Sequence, residues 1–161
     1  TAEVHVVTSD HQGTPQKKPY YTVKIPPTVD QFMFKVKGEV TAYLGLTSDK
    51  FTQFQLQDMY EITVGTGTMI RTTGGRAATK LAGNEIAGPY ASSTGQAKYL
   101  PQSQYGPYWV TWKDSRIAFG HGSIVGQETI WNTTVANYTY DINYIGLASA
   151  ESNDTHWLFY D

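Results

Sequence analysis

The sequence contains no cysteine, and this absence excludes several classes of site. With no Cys among 161 residues, disulfides, thiolate metal ligands and a cysteine nucleophile are all ruled out. Charge is also scarce, because charged residues make up 16% of the chain and the formal net charge is -2. That leaves no basic surface to neutralise nucleic-acid phosphates. No apolar run approaches the roughly 18 residues of a membrane span. We therefore expect neither nucleic acid nor membrane insertion.

What the sequence does have is a short apolar period along nearly its whole length. Phe32, Phe34 and Val36 alternate with Met33 and lysines, which gives one apolar face and one wet face. No segment shows the 3.6-residue period of an amphipathic helix. The length suits one domain that buries its own core. We therefore predict an all-β fold for residues 1–161, a single antiparallel two-sheet β-sandwich of the jelly-roll type.

The last third of the chain carries the clearest strand signal. Two apolar and aromatic runs, 108–112 and 116–121, are separated only by the polar link 113–115, which predicts a tight hairpin. A second pair of runs, 142–148 and 156–160, brackets a polar segment. We expect that segment to be a loop at one end of the sandwich.

Several short segments between residues 30 and 160 follow the pattern of a known domain family. They are Tyr60-Glu61-Ile62, Gly65, Arg71, Tyr108-Trp109-Val110-Thr111-Trp112, Ile117, Gly120, Gly122, Ile130-Trp131, Tyr144-Ile145-Gly146 and Trp157. On these residues the chain resembles the domain family named after farnesoic acid O-methyltransferase. The resemblance covers about residues 30–160 and leaves the first thirty residues outside.

The resemblance implies a β-sandwich module of secreted animal proteins, in some of which the domain binds carbohydrate. A chain of this size without Cys also resembles calcium-dependent, galactose-binding lectins of sea anemones. The implied function is a secreted lectin that binds terminal galactose-like sugars through Ca²⁺. Because single-site sugar affinity is weak, multivalency predicts a homodimer or larger homo-oligomer. Sequons at Asn132, Asn137 and Asn153 are typical of a secreted protein.

The family name suggests methyl transfer, but the residues predict no catalytic site. A nucleotide-type cofactor fold places a glycine-rich turn between a parallel strand and a helix. Here the glycine-rich turn 65–67 lies in a predicted hairpin, with no helical pattern behind it. Neither an H-E-x-x-H nor a G-x-S-x-G motif is present. The sequence therefore predicts that the chain is not an enzyme. An enzyme acting on isoprenoid acids remains a third alternative.

Two loops carry the oxygen ligands that calcium needs. Calcium takes six to eight oxygens from carboxylates, amides, carbonyls and waters. The first loop offers Glu151, Asn153 and Asp154, and the second offers Gln127 and Glu128 just before a strand. The alternatives are an ordinary solvated turn, an edge strand facing water and, for Asn153, a glycan acceptor.

A sugar site also needs an aromatic platform for the apolar face of the ring. We assign Trp112, Trp131 and Trp157 to core faces. Tyrosines in or beside loops are then the better platforms, namely Tyr90, Tyr99, Tyr105 and Tyr108. We predict sugar contacts from Tyr105, Tyr108, His121 and Asn132. The alternative to a lectin is a metal-free secreted module that contacts proteins through its aromatic loops.

Overall fold

A computed structural model describes residues 2–9, 20–49, 58–73, 79–91, 94–135, 141–150 and 154–160. Within these ranges the chain forms fourteen β-strands. They are β1 (Glu3–Thr8), β2 (Tyr21–Lys24), β3 (Gln31–Gly38), β4 (Ala42–Thr47), β5 (Met59–Val64), β6 (Thr68–Thr73), β7 (Lys80–Asn84), β8 (Tyr90–Ala91), β9 (Ala97–Lys98), β10 (Gly106–Lys113), β11 (Arg116–His121), β12 (Thr129–Thr134), β13 (Tyr144–Ser149) and β14 (Thr155–Tyr160). The described ranges hold no helix with the length and apolarity to cross a membrane.

The strands form two six-stranded antiparallel sheets. Sheet A has the order β1-β14-β3-β10-β11-β12, and sheet B has the order β2-β13-β4-β5-β6-β7. The short strands β8 and β9 pair with each other as a third, two-stranded sheet. Neighbouring strands pair antiparallel throughout. The predicted all-β antiparallel sandwich is confirmed.

The core lies between the sheets and follows the period-2 pattern. In β3, Phe32, Phe34 and Val36 are buried while the residues between them are exposed or half-buried. Burial of each such side chain stabilises the fold by about 1.5–3 kcal/mol. Two core tryptophans also satisfy their polar ends, since Trp157 donates to Thr8 Oγ1 at 2.9 Å and Trp131 donates to a threonine of sheet B.

Both predicted hairpins are present. The turn between β10 and β11 consists of Asp114 and Ser115, with φ of 54° and 58°, as expected for a two-residue hairpin loop in which both residues have positive φ. Lys113 pairs with Arg116 across it. The β5–β6 hairpin turns at residues 65–67.

The last two strands do not pair with each other. β13 lies in sheet B between β2 and β4, whereas β14 lies in sheet A between β1 and β3. The connection between them therefore crosses from one sheet to the other. In sheet A, β14 and β12 begin, and β3 and β11 end, at the edge where β10 begins. We call this edge the rim.

Candidate functional site

The loop that joins β11 to β12, residues 122–128, is anchored at the rim by Trp109. This tryptophan pairs with Met33 and Gly120 on the outer face of sheet A, yet only 1% of it is exposed. Its indole N–H donates to the backbone carbonyl of Gln127 at 2.9 Å. Position 120 must be glycine, because a Cβ there would overlap the indole ring. The loop therefore covers Trp109 and is held down by it.

The backbone of this loop is tightly constrained. Gly122 and Gly126 adopt φ of 106° and 88°, and Glu128 adopts 50°. The Gly122 N–H donates to the Pro107 carbonyl at 2.8 Å, and the His121 N–H donates to the Glu128 carbonyl at 3.1 Å. A non-glycine residue in the left-handed region costs about 1–2 kcal/mol. Such strain clusters at functional sites, which makes Glu128 a candidate functional residue.

Glu128 belongs to a polar group with His121 and Tyr90, which we call the rim cluster. The Tyr90 hydroxyl is hydrogen-bonded to His121 Nε2 at 2.7 Å, and His121 Nδ1 lies 3.7 Å from Glu128 Oε1. The imidazole stands edge-on to the Tyr108 ring, with centroids 5.4 Å apart. Burial raises the pKa of Tyr90, and the Glu128 carboxylate raises it further. Tyr90 therefore stays a neutral hydroxyl that can share a proton with the imidazole.

The Glu128 carboxylate is the accessible part of the rim cluster. Its side chain is 66% exposed, against 23% for His121. A Cβ on Gly122 would lie 2.6 Å from Glu128 Oε2, so glycine at position 122 makes room for the carboxylate. The cluster presents anionic oxygens beside an imidazole and a phenol. Such a group can accept hydrogen bonds from hydroxyls or hold a hard cation.

The structure brings three of the predicted site residues together, namely Gln127, Glu128 and His121. Asp154 lies at the same rim, immediately before β14, which β3 and β10 separate from β11. Three strand spacings amount to about 14 Å, so the two loops are separate candidates for a cation site. Glu151 and Asn153 lie outside the described residues. Among the residues that the structure describes, no three of His, Cys, Asp and Glu gather in a metal-binding group.

Of the predicted sugar-binding tyrosines, Tyr108 contacts the rim cluster only as a buried ring beside His121. Tyr108 is fully buried, and its ring packs against Phe34 and Phe119 in the core, so it offers no free face to a sugar. Its hydroxyl donates to the backbone carbonyl of Tyr99. Tyr105 is half-buried, and the Lys37 ammonium lies 4.9 Å from the centre of its ring.

Asn132 also stands away from the cluster. It pairs with Ala118 partway along β11, and its side-chain oxygen accepts from Arg116 Nε at 3.0 Å. The sequence does not distinguish Tyr90 from the other three loop tyrosines. In the structure its hydroxyl is hydrogen-bonded to His121.

A second polar group lies on the outer face of sheet B. Glu61 is 2% exposed, and it accepts from Arg71 Nη2 at 2.7 Å, from Arg71 Nε at 3.1 Å and from the Tyr20 hydroxyl at 2.8 Å. The Arg71 side chain is 39% exposed. Its pairing with a buried carboxylate makes it part of the packed sheet.

The antiparallel sandwich has the jelly-roll fold that galectins and carbohydrate-binding modules also have. The structure is similar to galectin LEC-6 of Caenorhabditis elegans, with a TM-score of 0.53, 9% identity and coverage of 89% of this chain and 92% of that chain. It is also similar to the carbohydrate-binding module CBM66 of Bacillus subtilis, with a TM-score of 0.56, 9% identity and coverage of 99% and 92%. Sheep galectin-11 matches with a TM-score of 0.50, 8% identity and coverage of 88% and 99%. At such identities the likeness shows the fold alone.

The chain belongs to the family described as farnesoic acid O-methyl transferase, whose sequence model matches residues 5–161. The match confirms the resemblance but corrects its extent, because it includes most of the first thirty residues. No curated protein matches the chain. The family description also contradicts the prediction that the chain is not an enzyme, since it names a methyl transfer.

Proposed function

We propose that this protein is a lectin that binds terminal galactose-like sugars at the rim cluster with the help of Ca²⁺. The observation that carries the proposal is the exposed Glu128 carboxylate, held at a strained backbone position beside His121 and Tyr90. The galectin-like fold supports carbohydrate as the ligand class. Hydroxyl-rich ligands suit a site with several hydrogen-bonding groups of different kinds.

The donor set at the rim fits a calcium ion that is shared with the sugar. Glu128 offers two carboxylate oxygens and Gln127 one amide oxygen, and both side chains are exposed. Calcium takes six to eight oxygens, so about half would come from waters and ligand hydroxyls. A cation that these residues hold would select sugars whose adjacent hydroxyls can reach it together. His121 and Tyr90 would then contact the remaining hydroxyls.

The direct test is retention on galactose-agarose in Ca²⁺, followed by elution with EDTA. We expect Glu128→Gln to lose retention and Asp154→Asn to keep it, because the two residues lie on separate loops. Lys113→Gln, in the exposed β10–β11 hairpin, is the control. Retention that EDTA does not change would remove calcium from the proposal. A variant pattern opposite to this one would move the site to Asp154.

Multivalency and secretion complete the proposal. Weak binding at one rim site becomes useful avidity when copies associate, so we propose a homodimer or larger homo-oligomer in the extracellular space. Among the described strands, β1 and β12 form the edges of sheet A, and edge strands can offer backbone groups for such pairing. Analytical ultracentrifugation should find a species of at least twice the 17.9 kDa chain mass. A monomer that still agglutinates galactosylated beads would contradict this part.

A further inference from the structure

An apolar groove of about 760 Å³ runs along β3 beside the rim loop. β14 pairs with β3 only as far as Phe159 opposite Phe34. On that side no described strand pairs with the start of β3. Side chains on both sides of this gap line the groove, with Met33 and Leu158 on the outer face and Val23 within the sandwich. The groove therefore reaches from the surface of sheet A towards the core.

Several partly exposed apolar side chains line the groove. Met33 is 40% exposed and Tyr160 is 63% exposed, although single exposed apolar residues are ordinary. Here they share one concave surface with Leu158 and Pro107. Among the described residues that line it, none is acidic. A volume in this range suits a small apolar group.

The groove and the rim cluster meet at the β11–β12 loop. Gly122 and Ser123 line the groove, and the Glu128 carboxylate lies directly against Gly122. A ligand atom bound to this carboxylate would therefore lie next to Gly122, which is part of the groove wall. One ligand could therefore contact the rim cluster and the apolar groove at the same time.

We infer that the ligand is amphiphilic, a glycoside whose sugar occupies the rim cluster while an apolar aglycone lies in the groove. This inference rests on the proposed function, because the cluster must hold the sugar. The proposed occupant of the groove is a short alkyl or aryl group on the anomeric carbon. Each buried methylene can strengthen binding by up to about fourfold, and partial exposure of the groove reduces this figure.

The test compares methyl β-galactoside with octyl β-galactoside, below its micelle concentration, by isothermal titration calorimetry in Ca²⁺. We expect the octyl compound to bind at least tenfold more tightly. Met33→Glu places a charge in the groove and should bring octyl affinity down to the methyl value while leaving methyl affinity unchanged. The control is Met69→Glu, on a half-buried residue of sheet B, which should retain the tenfold preference. Thermal unfolding checks that both variants fold.

The outcomes separate the two claims. Equal affinity for the two galactosides overturns the groove inference and leaves the proposed function standing. Octyl glucoside that binds as well as octyl galactoside, with no binding of methyl galactoside, shows an alkyl site that is independent of the sugar, and this overturns both. Binding of neither galactoside also overturns both.

Discussion

Replacing Glu128 by glycine should abolish ligand binding while leaving the free energy of unfolding almost unchanged. Glu128 has φ of 50°, where a side chain costs about 1–2 kcal/mol that glycine does not. Two losses oppose this gain. The exposed contact with His121, at 3.7 Å, contributes about 0.2–1 kcal/mol. The greater freedom of glycine in the unfolded chain costs about 0.5–1 kcal/mol. The balance lies within about 1 kcal/mol of zero.

Two measurements check this prediction. Urea unfolding followed by tryptophan fluorescence gives the stability, and retention on galactose-agarose in Ca²⁺ gives the binding. The matched control is Ser115→Gly in the β10–β11 turn, where φ is 58°. It should show the same small stability change and full retention, because the turn carries no proposed ligand contact.

Either of two results would contradict this prediction. A loss of more than about 2 kcal/mol in Glu128→Gly would mean that the carboxylate holds the fold, since exposed pairs contribute far less. Full retention by the same variant would mean that the strained carboxylate is not the ligand contact. A destabilised Ser115→Gly would show that the estimate of backbone strain is at fault.

Three further predictions concern packing and buried charge. Gly120→Ala should destabilise by about 1–3 kcal/mol and weaken binding, because the new methyl group displaces Trp109 from under the loop; an unchanged urea midpoint would contradict that packing. Burial, and then Glu61, raise the pKa of Tyr20 well above its usual 10.0, so stability should fall as pH rises above about 10, where the unfolded chain ionises this residue first. Tyr20→Phe should make that alkaline fall shallower, and equal slopes would refute it. Glu61→Gln should lower the free energy of unfolding by about 2–3 kcal/mol, measured by chemical denaturation. This is less than for a fully buried pair, because the Arg71 side chain is 39% exposed. A loss below about 1 kcal/mol would show that the fold does not depend on the pair.

Strand positions could be read from the sequence because they depend on local signals. The alternation in β3 and the polar link before Arg116 fix one strand and one hairpin without reference to the rest of the chain. Sheet membership has no such local signal. Leu147 and Trp157 are both buried, and the apolar period of their strands is the same whether they pair with each other or lie in opposite sheets.

The candidate site was only partly predictable for a similar reason. Gln127 and Glu128 could be found because they place polar groups just before an apolar strand. Tyr90 could not be singled out, because its bond to His121 spans 31 positions and arises from the tertiary fold. Trp109 was equally hidden, since it faces outward and is buried only because a loop lies over it. Periodicity reports which face of a strand a residue takes, and it does not report what covers that face.

Hydrogen bonds hold the β11–β12 loop in one conformation although the backbone of Glu128 is strained. Trp109 fixes the loop from below through the Gln127 carbonyl, and the Gly122 and His121 amides fix its two ends. These bonds hold Glu128 in place before any ligand arrives, so binding need not order the loop. Pre-organisation of this kind matters most for ligands with few contacts, such as single sugars. A protein that binds them weakly benefits from a rigid carboxylate at the rim and from additional apolar contact in the adjoining groove.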